Sequence, residues 1–135
     1  MDQKNYELWI AEAETDFKVG KILIKKKKYN IACFHFVQAA EKAVKVMLYY
    51  IKQRPIFKLL AIYEQLGNPV PSQIKNAANI LDPHYINSRY PDVLPGHSPV
   101  EFYTKTLAKN VRNTTQVILN FIKKEKEVIN SHANP

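Results

Sequence analysis

Residues 29–50 read YNIACFHFVQAAEKAVKVMLYY, and this stretch decides the fold. Ala32, Phe36, Ala39, Ala43, Val46 and Tyr50 recur at steps of four and three, which places them on one face of an α-helix. Cys33, Val37, Ala40, Val44 and Leu48 form a second apolar stripe beside the first. What remains is one narrow polar seam of His35, Gln38, Glu41, Lys42 and Lys45. A helix that is apolar on most sides and polar along one line belongs at the centre of a helical bundle. The small side chains of Ala39, Ala40 and Ala43 let neighbouring helices come close.

The flanking sequence supplies those neighbours. Upstream, Trp9, Ala13, Phe17, Gly20 and Leu23 or Ile24 share one face of a helix predicted over about 5–27. The basic run from Lys25 to Lys28 closes it, where cations suit the negative end of the helix dipole. The central helix is predicted over about 31–53, because Pro55 disfavours helical geometry at the residue before it. A third helix is predicted over 57–66, stopped by Gly67-Asn68-Pro69, and a fourth from Pro71 or Ser72 to about 81.

Residues 82–96, DPHYINSRYPDVLPG, have no helical period and carry three of the chain's eight prolines, which reads as an ordered, aromatic-packed loop. Ser98-Pro99-Val100-Glu101 then has the form of a capping box with proline in the first turn. The helix it opens presents Tyr103, Leu107, Val111, Thr114, Ile118 and Phe121, and its tail after about 126 is expected to fray. The expected architecture is all-α: an up-and-down four-helix-type bundle with an additional short helix.

A chain of 135 residues suits one domain over 1–135, and 46% apolar residues are enough for a core. Only three glycines occur, which favours helices over a turn-rich β fold. The single cysteine, Cys33, excludes an internal disulfide framework and a multi-cysteine zinc site. Neither a basic-then-apolar leader nor eighteen uninterrupted apolar residues occur, so a cytoplasmic protein that spans no membrane is expected. The net charge of +8 suits a polyanion partner, and equally a soluble lysine-rich surface. No metal site and no cofactor is expected, since Glu-x-x-His patterns and glycine-rich phosphate loops are missing.

Three elements together resemble the HEPN family. The central helix carries small-Cys-Phe-His followed by Gln-Ala-Ala-Glu-Lys-Ala; residues 84–93, HYINSRYPDV, match a Tyr-x-x-x-Arg-Tyr-Pro-Asp segment; and the chain opens with Trp9-x-x-x-Ala13-x-x-Asp16. The Gln-Ala-Ala-Glu-Lys element alone suits any bundle, whereas the helix and the loop at this separation are much more specific. The resemblance implies a helical homodimer and, for many members, a minimal nucleotidyltransferase partner in a toxin–antitoxin pair. Catalytic members are metal-independent endoribonucleases that use an Arg, four to six residues, then a His.

In this chain Arg89 and His97 are separated by seven residues, inside a proline loop, so that motif is stretched. Neither Arg54 nor Arg112 has a His within reach downstream, and Pro99 stands where some toxins carry the tyrosine that their partner modifies. Arg89 can clamp a phosphate with its bidentate fork or pin its own loop. Asp92 can cap the turn after Pro91. His97, near a helix start, can meet a phosphate or simply face solvent, and His84 has the same two readings. His35, held by the Glu41–Lys42 pair, can exchange protons near neutrality or satisfy an interface.

The first reading is a HEPN-like homodimeric nucleotide- or RNA-associated module that works with a minimal nucleotidyltransferase. Its binding residues are Arg89, Tyr90, Asp92, His35, Lys42 and Lys45. The alternatives are a metal-independent endoribonuclease with Arg89 and His97 as catalytic residues, and a purely structural helical scaffold.

Overall fold

A computed structural model describes residues 3–48, 55–91, 96 and 98–133. Among these residues there are seven helices and no strand: α1 (Gln3–Lys25), α2 (Tyr29–Lys45), α3 (Ile56–Gln65), α4 (Ser72–Leu81), α5 (His84–Asn87), α6 (Pro99–Phe102) and α7 (Lys105–Ala133). The all-α bundle is therefore as expected. α2 lies at its centre, against α1 on one side and α7 on the other, while α4 covers a further stretch of α7.

Both apolar stripes of α2 are inside. Ala32, Cys33, Phe36, Val37, Ala39, Ala40, Ala43 and Val44 are all buried, and so are Val46 and Leu48 just beyond the helix. Phe36 meets Phe17 of α1 edge to face at 5.4 Å between centroids, and its backbone carbonyl accepts a hydrogen bond from Thr115 Oγ1 of α7 at 3.3 Å. One residue thus ties the three long helices together.

The expected helix over 31–53 is shorter within the described residues. After Lys45 the bonding tightens: Val46, Met47 and Leu48 donate to the carbonyls three residues back, and the regular α-helix ends. Tyr50 and the other residues at 49–53 lie outside the described residues.

α1 ends in a Schellman turn. The Lys28 N–H donates to the Leu23 carbonyl at 2.9 Å and the Lys27 N–H to the Ile24 carbonyl at 3.0 Å. That geometry puts Lys27 at φ 60°, a left-handed conformation that glycine adopts at less cost.

α3 is capped from outside its own segment. The Asp82 carboxylate, at the end of α4, accepts from the Ile56 and Phe57 N–H groups at 2.7 and 2.9 Å. Tyr63 donates to Glu125 of α7 at 2.7 Å, and Lys75 of α4 pairs with Glu64 at 2.8 Å.

Two expectations are corrected. Residues 82–96 are not loop throughout, because His84–Asn87 forms one helical turn, α5, whose end is closed by the Ser88 N–H on the His84 carbonyl. The final helix is also broken. Ser98 caps α6, accepting from the Glu101 N–H, but Tyr103 is extended (φ −83°, ψ 124°) and Thr104 caps a second start through the Leu107 N–H. The break has a tertiary cause: extended backbone at 103 sends the tyrosine ring inward, where it is 2% exposed and its hydroxyl lies 2.6 Å from His84 Nδ1. After the break the buried face of α7 runs through Ala108, Val111, Thr115, Ile118, Leu119 and Ile122, one residue on from the expected Thr114.

Candidate functional site

The polar seam of α2 does not stand alone, because α1 answers it with a carboxylate. Asp16 Oδ1 lies 3.1 Å from His35 Nδ1, and Asp16 Oδ2 accepts from Lys42 Nζ at 2.7 Å. Glu12 adds a second, longer contact to Lys42 at 3.7 Å. The Asp16 side chain is only 14% exposed, so this carboxylate works in a partly dehydrated setting. A carboxylate can only accept, which assigns the proton of the pair to His35 Nδ1 and leaves Nε2 as the exchangeable nitrogen. An imidazole oriented in this way by an acid is suited to acid–base work. Farther along the seam, Lys45 Nζ sits 5.5 Å from the Trp9 ring centroid, a cation–π contact that occupies this lysine on the bundle's own surface.

Glu41 is buried rather than lining the seam, at 7% exposure. The expected Glu41–Lys42 support for His35 is thus replaced by Asp16. The Gln38 amide nitrogen is enclosed and has no hydrogen-bond partner among the described residues.

Arg89 lies just after α5, in the turn that follows Asn87. Its guanidinium carbon stands 4.4 Å from the Tyr85 ring centroid, 4.6 Å from Phe34 and 5.0 Å from Tyr90. Its Nε donates to the Tyr85 carbonyl at 2.9 Å. Three aromatic rings and one backbone bond therefore fix the plane of the fork, and Tyr90, 47% exposed, forms its outer wall. Asn30 of α2 secures the same turn, donating to the Ser88 carbonyl at 3.2 Å.

Phe34 joins the two groups. Its ring contacts Arg89 and Tyr85, and it also meets the His35 ring edge to face at 5.6 Å. Lys42, Asp16, His35, Phe34 and Arg89 thus form one connected series across α1, α2 and the α5 turn. Asp92 and His97 lie outside the described residues.

Sequence reasoning missed three members of this arrangement. In the sequence Asp16 stands only at the end of a motif, and Phe34 and Tyr85 only within motifs, with nothing to join them. The signal available for Asp16 was an acid on the otherwise apolar face of α1, at a position able to meet a basic seam.

Behind the turn, the half-buried His84 pairs with the buried Tyr103. Burial pushes the His84 imidazole below its ordinary value and the Tyr103 hydroxyl well above its own, so both are neutral at about pH 7 and share one hydrogen bond between the hydroxyl and His84 Nδ1. The Cys33 thiol is pushed up to about 12 by burial, which removes it as a nucleophile near neutrality. Among the described residues no group of three or more His, Cys, Asp or Glu side chains could hold a metal, and no helix is long and apolar enough to cross a membrane.

The HEPN domain pattern matches residues 6–126. The chain belongs to the HEPN family. It is 32% identical to the putative toxin MJ1304 of Methanocaldococcus jannaschii, over 90% of this chain and 91% of that protein. Among solved structures, an archaeal HEPN homologue, ST0689, is similar with a TM-score of 0.73 and 36% identity, covering 93% of this chain and 98% of that one. TT1696 from Thermus thermophilus superposes with a TM-score of 0.79 at 30% identity, covering 88% of this chain and 96% of its own. The match to the family spans both the α2 seam and the Arg89 turn, so the two groups lie within the HEPN domain itself.

Proposed function

We propose that this HEPN protein is a toxin-like homodimeric module that contacts RNA or nucleotide through the Arg89 shelf and works with a minimal nucleotidyltransferase. The observation that carries the reading is Arg89 itself. A guanidinium held in one plane by Phe34, Tyr85 and Tyr90 has surrendered its rotamer entropy in advance, which favours bidentate capture of a phosphate. The oriented His35 and the Asp16–Lys42 pair extend the polar surface beside it. The toxin name of the M. jannaschii relative supports a toxin-like role.

Dimer formation is supported by exposed apolar side chains on the same segment. Ile86 is 49% exposed, Val100 75% and Phe102 43%, and together with Tyr90 they flank the Arg89 turn in sequence. A second copy covering such side chains would bring two shelves into one assembly.

The test is incubation of a mixed RNA pool in EDTA with the wild type, Arg89→Ala and His97→Ala, alongside a binding titration and light scattering. A folded dimer that binds RNA or nucleotide without cutting it, and loses affinity in Arg89→Ala, supports the proposal. Cleavage that disappears in both variants replaces it with the endoribonuclease reading. A monomer without affinity for RNA or nucleotide leaves a structural scaffold.

A further inference from the structure

A groove of about 590 Å³ opens between the end of α1 and the start of α7, and the Arg89 shelf makes no use of it. One wall carries Lys18, Lys21 and Lys25 at steps of three and four, so their side chains share a face of α1. The other carries Lys105, Lys109 and Arg112 at steps of four and three along α7. Lys27 brings the cations to seven, and no carboxylate lines the groove.

Among the described residues none of these seven cations is in an ion pair. Three of the four acids of α1 are engaged elsewhere, Asp16 with Lys42 and His35, Glu12 with Lys42, and Glu14 with Lys123. Seven like charges around one concavity repel each other and concentrate anions from solution. Each row of cations spans seven residues of helix, roughly 10 Å at about 1.5 Å per residue. A single small anion satisfies one or two members of such rows, whereas a chain of phosphates satisfies both. Cations on facing walls suit a strand lying between them; a duplex would rest on the rims. Ile22, 55% exposed, and the half-buried ring of Tyr29 supply apolar and aromatic surface for sugars and bases.

We propose that this groove seats the phosphate backbone of a single-stranded polynucleotide, without reading its sequence. The inference rests on the RNA association proposed above and gives it a second surface. Tyr29 in the groove precedes Asn30, whose amide holds the Ser88 carbonyl next to Arg89, so a bound strand is led towards the Arg89 turn.

The experiment is fluorescence anisotropy with a labelled oligouridylate of about 12 nucleotides, within the span of known single-strand sites, across a series of salt concentrations. Lys25→Gln/Lys109→Gln is compared with Lys58→Gln/Lys124→Gln, all four positions being exposed and only the first pair lining the groove. Circular dichroism checks that both variants are folded. The groove variant should bind roughly tenfold more weakly, with the slope of log affinity against log salt reduced by about 1.4, at about 0.7 per single-strand contact. The control variant should stay close to the wild type. Equal losses in the two variants would overturn the inference, as would wild-type preference for RNA duplex, ATP or phosphatidylserine vesicles over the single strand. If Arg89→Ala abolishes binding while the groove variant binds normally, only the groove inference falls. If the wild type binds nucleotide but no RNA, the groove inference falls alone; if it binds neither, both readings fall.

Discussion

Gly20 of α1 faces the ring of Phe36 so closely that a β-carbon at position 20 would stand 2.5 Å from Cε1 of that ring. The ring is itself fully buried and stacked edge to face on Phe17, so it has nowhere to retreat. The glycine is what lets α1 and α2 approach at this level.

Gly20→Ala should therefore destabilise the protein, although alanine is the better helix former by about 1 kcal/mol. Overpacking of a filled core costs roughly 1–3 kcal/mol. A 2.5 Å approach to an enclosed ring belongs in the upper part of that range, about 2–3 kcal/mol, which leaves a net loss of about 1–2 kcal/mol. Urea denaturation measures it. An unchanged or raised midpoint would show that Phe36 can move aside.

The Asp16–Lys42 contact should count as a coupled pair and not as a surface decoration. The carboxylate is mostly enclosed and the N–O distance is 2.7 Å, so a double-mutant cycle on Asp16→Ala and Lys42→Ala should give a coupling of about 1 kcal/mol. Asp16→Ala should be the worse single change, because it also frees His35. A coupling within error of zero, as many exposed pairs give, would sink this reading.

Stability should fall on acidification through the half-buried His84. Its folded pKa lies below the ordinary 6.5, so the unfolded chain binds the extra proton more readily. The His84 contribution is thus fully present above about pH 6.5 and is eroded as pH falls below that value, by no more than about 1.4 kcal/mol per pH unit. Urea midpoints measured from pH 7.5 down to about 5.5 should decline in the wild type and decline less steeply in His84→Gln. Parallel declines in both proteins would assign the effect to another group.

Lys27, in the left-handed region at φ 60°, stores strain that glycine would release. Lys27→Gly should raise stability by about 0.5 kcal/mol, the relief of about 1 kcal/mol being partly offset by glycine's freedom in the unfolded chain. Lys27→Ala keeps the strain and should bring no gain. Thermal melts of the two variants, read side by side, decide the matter; equal melting temperatures would count against it.

Periodicity alone determined the bundle. Residues 29–50 carry two apolar stripes and one polar line, and a helix so patterned is stable only when surrounded, which makes its central place a consequence of composition. The same logic placed Trp9, Ala13, Phe17 and Gly20 on one face of α1, and the prolines and glycines punctuated α3 and α4 within a residue or two of their observed ends.

The site was legible in its parts and not in its connections. Arg89, Tyr90, His35, Lys42 and Lys45 could each be named, but their partners are distant in sequence: Asp16 is 19 residues from His35 and 26 from Lys42. No local pattern encodes such pairs, because they form only once α1 lies along α2. The same holds for the break at Tyr103, where a strong capping box and a helical period both favour continuing α6 into α7. Burial of one aromatic ring and its bond to His84 outweigh a few tenths of a kcal/mol per residue of local preference. Periodic burial is written along the chain one residue at a time, and so the sequence by itself determined which elements form and which faces turn inward. Which carboxylate orients which imidazole, and which rings hold Arg89, depends on how those faces meet, and only the tertiary structure decided that.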